Sequence, residues 1–235
     1  GHLEAELHFS RQRSHRKGLR ASFCLPWRRR SVRGRAMAYV IERGSRADKI
    51  ADALPLLAQT RHGGRVIVSL LADDEDIETV RVHFNEVLEE GISYPQTGPL
   101  DSEAFKAYFL SHDAFVAKSH GEVRGAFYIK PNFPHRCAHV CNNGFLVPRS
   151  QRGRGYGTLL AKLALPLAKR LGYEQVFYNL VFTDNEAAIH IYKKLGFMQT
   201  GFLAKAGRLT GGGYQDAVQM RYDLDELPYA LDDLR

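Results

Sequence analysis

No stretch of this 235-residue chain approaches the roughly 18 consecutive apolar residues that a membrane-spanning helix requires. Cysteine is scarce. Cys24, Cys137 and Cys141 cannot all pair with one another and are too few to staple a secreted mini-fold, so a reducing compartment and no structural disulfide are expected. There is no internal repeat. A composition of 44% hydrophobic and 25% charged residues excludes collagen-like, wholly disordered and multi-span membrane classes. The length suits one large α/β domain with extensions.

Acidic residues are nearly missing from residues 1–36, where ten Lys or Arg face only Glu4 and Glu6, a local balance of +8. The whole chain carries +7, so residues 37–235 come to −1. A basic patch on the folded body is therefore not implied, and any attraction to nucleic acid or anionic lipid falls to the tail. That tail interleaves Ser10, Ser14, Ser22 and Ser31 with Leu19, Phe23, Leu25 and Trp27, which reads either as an organelle transit segment or as a solvated arm without an address. It lacks the regular spacing of base readout, so neither nucleic acid nor membrane is an expected partner. The chain starts Gly1-His2, and Met37 could serve as a second start. The expected organisation is a basic tail over 1–36 and a single domain over 37–235, cytoplasmic and/or mitochondrial, with homodimerisation left open.

Periodicity predicts a short helix over 48–57, interrupted by Pro55, then a strand over 65–71 after Gly63-Gly64. Asp73 or Asp74 caps a helix with Ile77, Val80, Phe84, Val87 and Leu88 on one face, and Gly91 ends it. A second helix starts at Asp101-Ser102-Glu103. Strands 114–119 and 123–130 form a hairpin across His120-Gly121, and 137–147 is a further strand. A Gly-rich turn over 153–157 opens a helix through Leu171, with Leu159, Leu160, Leu163 and Leu167 as its core stripe. Residues 175–182 form an apolar strand, Glu186 to Leu195 a helix closed by Gly196, and 197–202 and 216–224 two closing strands around Gly211-Gly212-Gly213. The order predicts an α/β (α+β) mixed, twisted sheet of about seven strands with helices on both faces. The three-glycine loop reads as a mobile flap or a plain flexible connection.

The run His135-Arg136-Cys137-Ala138-His139-Val140-Cys141 alternates His and Cys, which invites a zinc reading. If extended, however, residues two apart lie ~6.7 Å apart and His135 lies ~20 Å from Cys141, too far for one tetrahedral ion. No metal is expected.

The turn Gln151-Arg152-Gly153-Arg154-Gly155-Tyr156-Gly157-Thr158 joins a strand to a helix. Its glycines let the backbone approach a ligand, and the helix start leaves unpaired N–H groups that suit phosphate. A P-loop needs Gly-Lys-Ser/Thr, but Tyr156 follows Gly155. The dinucleotide pattern from Gly153 needs Gly where Thr158 stands. What fits is Arg152-x-x-Gly155-x-Gly157, followed downstream by Asn185, Tyr192 and Gly196-Phe197. In these the chain resembles the GNAT superfamily of acetyl-CoA-dependent N-acetyltransferases. Phe127 to Asn132, Arg136-Cys137, His139, Cys141-Asn142, Gly144 to Val147, Tyr94-Pro95-Gln96 and Tyr178 to Phe182 add a more specific likeness over residues 91–224. They are similar to the fungal N-acetyltransferases of L-azetidine-2-carboxylate and related proline analogues.

The resemblance implies a GNAT fold and acetyl-CoA as co-substrate. It implies that the amides of Arg152, Gly153, Arg154, Gly155, Tyr156 and Gly157 hold the CoA pyrophosphate, and that backbone near Leu146 and Val147 binds the pantetheine and thioester oxygen. Asn142 and Phe145 would line the amino-acid pocket, Asn179 would face the reacting centre, and Asn185 would support the cofactor arm. Tyr192 would donate a proton to the leaving thiolate. The fungal pattern has Trp at this position, so the role comes from the broad family, with plain packing as the alternative.

On a regular strand Asn142 and Phe145 face opposite sides of the sheet. A β-bulge near Asn143-Gly144 is therefore expected, and without it one of the two assignments would fall. No motif points to a general base. His135 and His139 are candidates beside a water chain, with simple packing as their bland alternative. The expected activity is direct acetyl transfer to the secondary amine of a small cyclic amino acid. The alternatives are acetylation of a peptide or protein amine, and a CoA-sensing module that binds nucleic acid through the tail.

Overall fold

The structure, a computed structural model, describes residues 40–209 and 211–234. The basic tail, Met37 and Cys24 lie outside these. Residues Ala47–Ala53 form a 3-10 turn that buries Ile50 and Ala53, in place of the expected α-helix. Leu54 is already extended before Pro55, and Leu56–Gln59 (β1) alternates buried and exposed side chains as a strand does. This four-residue strand raises the sheet from the expected seven strands to eight. It pairs antiparallel with Arg65–Leu70 (β2) across the turn Thr60–Gly64.

Next come helices Asp74–Glu90 (α1) and Ser102–Phe109 (α2), capped by Asp73 and Asp101, whose carboxylates accept main-chain N–H bonds. Strands Asp113–Ser119 (β3), Glu122–Pro131 (β4) and Val140–Leu146 (β5) follow. The strand expected over 137–147 starts only at Val140, because His135–Cys137 form a 3-10 turn. The segment is therefore not extended between His135 and Cys137. Among the described residues no cluster of three His, Cys, Asp or Glu could hold a metal, and Cys137 and Cys141 are free thiols.

The chain then alternates through Tyr156–Arg170 (α3), Gln175–Phe182 (β6), Glu186–Lys194 (α4), Met198–Arg208 (β7) and Tyr214–Asp223 (β8). The sheet order is β1-β2-β3-β4-β5-β6-β8-β7, and every pairing is antiparallel except β5 with β6. That parallel pair joins only Val140 to Gln175 and Cys141 to Val176 before the strands part.

Each sheet face buries its own core. Phe115, Phe127, Ile129 and the leucines of α3 fill one side, and Leu159, Leu160, Leu163, Leu167 and Leu171 form the predicted stripe. Val116, Ala126 and Tyr128 face α1 and α2 on the other side. There Phe84, fully buried on α1, meets the rings of Tyr94 at 4.8 Å, Phe105 at 5.7 Å, Tyr108 at 5.8 Å and Phe109 at 5.8 Å. Phe84→Ala should therefore cost about 3–5 kcal/mol in urea unfolding, and Phe84→Leu about 1.5 kcal/mol or less. An Ala variant as stable as the parent would contradict this packing.

Candidate active site

The Gly-rich turn forms as the spacing requires. Arg149–Gln151 make a 3-10 turn, Arg152 is extended, and Gly153 (φ 77) and Gly155 (φ 85) take the left-handed conformation that side chains disfavour. Gly155 is the N-cap of α3 and offers no capping side chain. The first turn of this buried, leucine-packed helix thus presents N–H groups without intrahelical partners. Beside the turn, Arg152 Nη1 stands 3.0 Å from Glu90 Oε2, and Arg149 Nε stands 3.4 Å from Glu90 Oε1. Glu90 occupies the guanidinium of Arg152, which leaves the main-chain N–H groups as the ready anion donors.

These groups border a cavity of about 600 Å³ that runs into the gap between β5 and β6. The cavity brings together Val147, Arg152, Gly153, Gly155, Tyr156 and Gly157 at one end, with Asn185 and Tyr192 from the N-cap and last turn of α4. It adds Asn142, Phe145 and Asn179 at the strand gap. Leu146 and Arg154 do not border it: the Leu146 side chain is buried in the core. Asn185 is also the N-cap of α4, where its Oδ1 accepts from the Ala188 N–H at 3.1 Å while its Nδ2 donates to Ser93 Oγ.

The expected bulge in β5 is absent. Asn142 pairs with Lys130 and Phe145 with Phe127 in unbroken register, so the two side chains leave opposite faces. Phe145 packs between Phe127 at 6.0 Å and Tyr192 at 6.3 Å, on the α3 and α4 side. Asn142 faces the α2 side. The loss of one assignment does not follow, because the cavity passes through the sheet where the strands part and touches both faces. A bulge does occur next to the site, in β6. Tyr178 pairs with Met220 and Val181 with Val218, so Asn179 and Leu180 together oppose Gln219. The extra residue turns Asn179 out of the ladder and toward the cavity.

Tyr192 spans the gap. Its ring lies 4.6 Å from Tyr178 on β6 and 6.3 Å from Phe145 on β5. Burial pushes its hydroxyl well above the usual tyrosine range, so at neutral pH it stays protonated and can donate. The same burial raises Tyr94, Tyr108 and Tyr128. Their hydroxyls are anchored: Tyr94 donates to the Phe145 carbonyl at 2.8 Å, and Tyr108 and Tyr128 bond each other at 2.8 Å. Three asparagines connect, one on β5, one on β6 and one in the loop just after β4, with Asn132 Nδ2 donating to Asn179 Oδ1 at 2.5 Å and Asn142 Nδ2 to Asn132 Oδ1 at 3.5 Å.

Sequence reasoning did not place Arg61, Glu90, Tyr94, Tyr108 or Tyr128 at the site, although all border the cavity. Arg61 and Glu90 sit at a hairpin turn and a helix end far from the Gly turn in sequence, and no spacing signals them. Tyr94 lay within the segments that carry the specific likeness. His135 and His139 are exposed and border no part of the cavity, which removes both as candidate bases. Among the described residues the lining holds no His, Asp or Lys.

Comparison with known proteins fits this arrangement. The sequence profile of the Acetyltransferase (GNAT) family matches residues 80–197. The chain is 42% identical over 134 residues to the N-acetyltransferase aca1 of Schizosaccharomyces pombe, a match covering 57% of this chain and 63% of that protein's length. The fold is similar to a GCN5-related N-acetyltransferase from Kribbella flavida, with a TM-score of 0.63 and 27% identity over 67% of this chain and 97% of that one. It is also shared with yncA of Salmonella typhimurium, a structure that holds acetyl-CoA, at a TM-score of 0.61 and 19% identity over 69% and 96% of the two chains. With half of its length matched by the family profile, on the fold of these enzymes, the chain belongs to the acetyltransferase (GNAT) family.

Proposed function

We propose that this protein, with residues 37–235 as one catalytic domain, transfers the acetyl group of acetyl-CoA to the secondary amine of a small cyclic amino acid of the proline-analogue type. The observation that carries the reading is the two-ended cavity. Free helix N–H groups border one end. The other is neutral and polar, with Asn142 and Asn179 tied through Asn132 and ringed by tyrosines. The only carboxylate of its described lining, Glu90, is engaged by Arg149 and Arg152, so a polycation or a lysine-rich peptide would find no counter-charge there. Support also comes from the activity in the name of the fission-yeast relative and from the acetyl-CoA held on the same fold in yncA.

In this account the N–H groups of Gly153 to Gly157 hold the pyrophosphate of the donor, and backbone near Val147 steadies the pantetheine and the thioester oxygen. Asn142, Asn179 and Phe145 position the amino acid. The ring nitrogen attacks the thioester carbon, the N–C bond forms, and the C–S bond breaks. Tyr192 gives its proton to the departing thiolate and recovers one from solvent. The amine's own proton leaves to water, since the described lining offers no residue suited to take it.

An amine of this kind titrates near the lysine reference of about 10.4, so kcat/KM should climb about tenfold per pH unit between about 6 and 8. A plateau reached near pH 7 would require a protein base and contradict this route. Tyr192→Phe should lower kcat roughly 10²-fold with the KM for acetyl-CoA unchanged, as loss of a proton donor does. Asn179→Ala should lower turnover sharply, and unchanged kinetics would remove it from the mechanism. Thiol release should be fast with azetidine-2-carboxylate, proline or hydroxyproline and absent with a lysine peptide. The reverse preference would overturn the substrate class.

A further inference from the structure

Lys130 lies on β4 directly across from Asn142 in register and two residues from Tyr128, so all three share the α2 side of the sheet. Its ammonium stands 4.0 Å from the centre of the Tyr108 ring and 4.2 Å from that of Tyr128. Both rings, and Asn142, border the cavity, which places the charge within one side chain of it. Among the described residues no carboxylate pairs with it. Other lysines here do find acids: Lys106 meets Asp74, Lys118 meets Asp76, and Lys169 meets Asp225. Burial lowers the Lys130 pKa to about 8, and no neighbouring anion opposes the shift. Ring faces compensate only part of the cost of removing an ammonium from water. A half-buried cation without an acid, beside a neutral polar pocket, is an anion receptor awaiting its anion.

We propose that Lys130 is the receptor for the α-carboxylate of the acceptor amino acid and selects anionic over neutral or cationic amines. The inference rests on the amino-acid reading above. Four rotatable bonds let the side chain turn off the two rings and meet a carboxylate held beside Asn142, while the amine points toward the strand gap. Lys130 touches no reacting atom, so its effect falls on substrate binding and not on the chemical step.

The test compares L-azetidine-2-carboxylate with its carboxamide in the wild-type protein, Lys130→Met and Lys130→Arg, following thiol release from acetyl-CoA. Wild type should show a KM for the carboxylate about tenfold or more below that for the carboxamide, the usual weight of a charge-assisted hydrogen bond. Lys130→Met should erase that difference by raising only the carboxylate KM, with the KM for acetyl-CoA unchanged, and Lys130→Arg should restore most of it. An undiminished preference for the carboxylate in folded Lys130→Met overturns the assignment. Should the Met variant fail to fold, equal handling of the two acceptors by wild type, or an Arg variant that loses the preference while keeping its carboxamide activity, overturns it equally. Wild type that acetylates other amines but neither cyclic acceptor overturns the amino-acid reading itself, an outcome distinct from the loss of Lys130 alone.

Discussion

The parallel pairing of β5 with β6 stops after Cys141 and Val176, and the rest of the molecule is arranged around that early stop. Beyond it the facing main-chain groups of two central strands have no ladder to join. Unpaired backbone of this kind is costly in a protein interior unless something occupies it. Tyr192 packs over one face of the gap, its ring meeting Tyr178 on one strand and Phe145 on the other. A gap that would be a defect in an ordinary sheet becomes a slot with hydrogen-bonding edges.

The slot joins two chemically different ends. At one, the N-terminus of α3 brings helix N–H groups to the surface of a rigid, leucine-packed element, so the donors keep their place without help from long side chains. At the other, tyrosines fixed by the aromatic cluster around Phe84 and asparagines of β5, β6 and the loop after β4 form a neutral wall. The helix start rests on the core of one sheet face and the Tyr94, Tyr108 and Tyr128 cluster on that of the other, while Phe145 packs on the α3 side.

Much of this was legible in the residues. The caps of α1, the hairpin at His120-Gly121, the leucine stripe and the Gly turn all depend on local spacing, and each stands where spacing put it. What escaped depends on partners. A strand of four residues after Pro55 is too short for periodicity to distinguish from a turn. Spacing alone puts the bulge in β5, where Asn142 and Phe145 conflict. It lies in β6 because register is a property of a strand and its neighbour, and only the pairing with β8 reveals the extra residue at Asn179-Leu180. Glu90 and Arg61 carry no local signal, and Lys130 stands in a segment of specific likeness that assigns it no role. Each gains meaning only from what folding brings beside it: Arg152, the Gly turn, and two tyrosine rings.

The account stands or falls on where acetyl-CoA binds, and a crystal structure of the protein soaked or grown with it decides the matter. The pyrophosphate should rest on the N–H groups between Gly153 and Gly157, with the pantetheine lying in the slot between β5 and β6 and the sulfur near Tyr192. Acetyl-CoA bound on another surface, or a slot that closes and pairs along its length when the ligand is present, would contradict it.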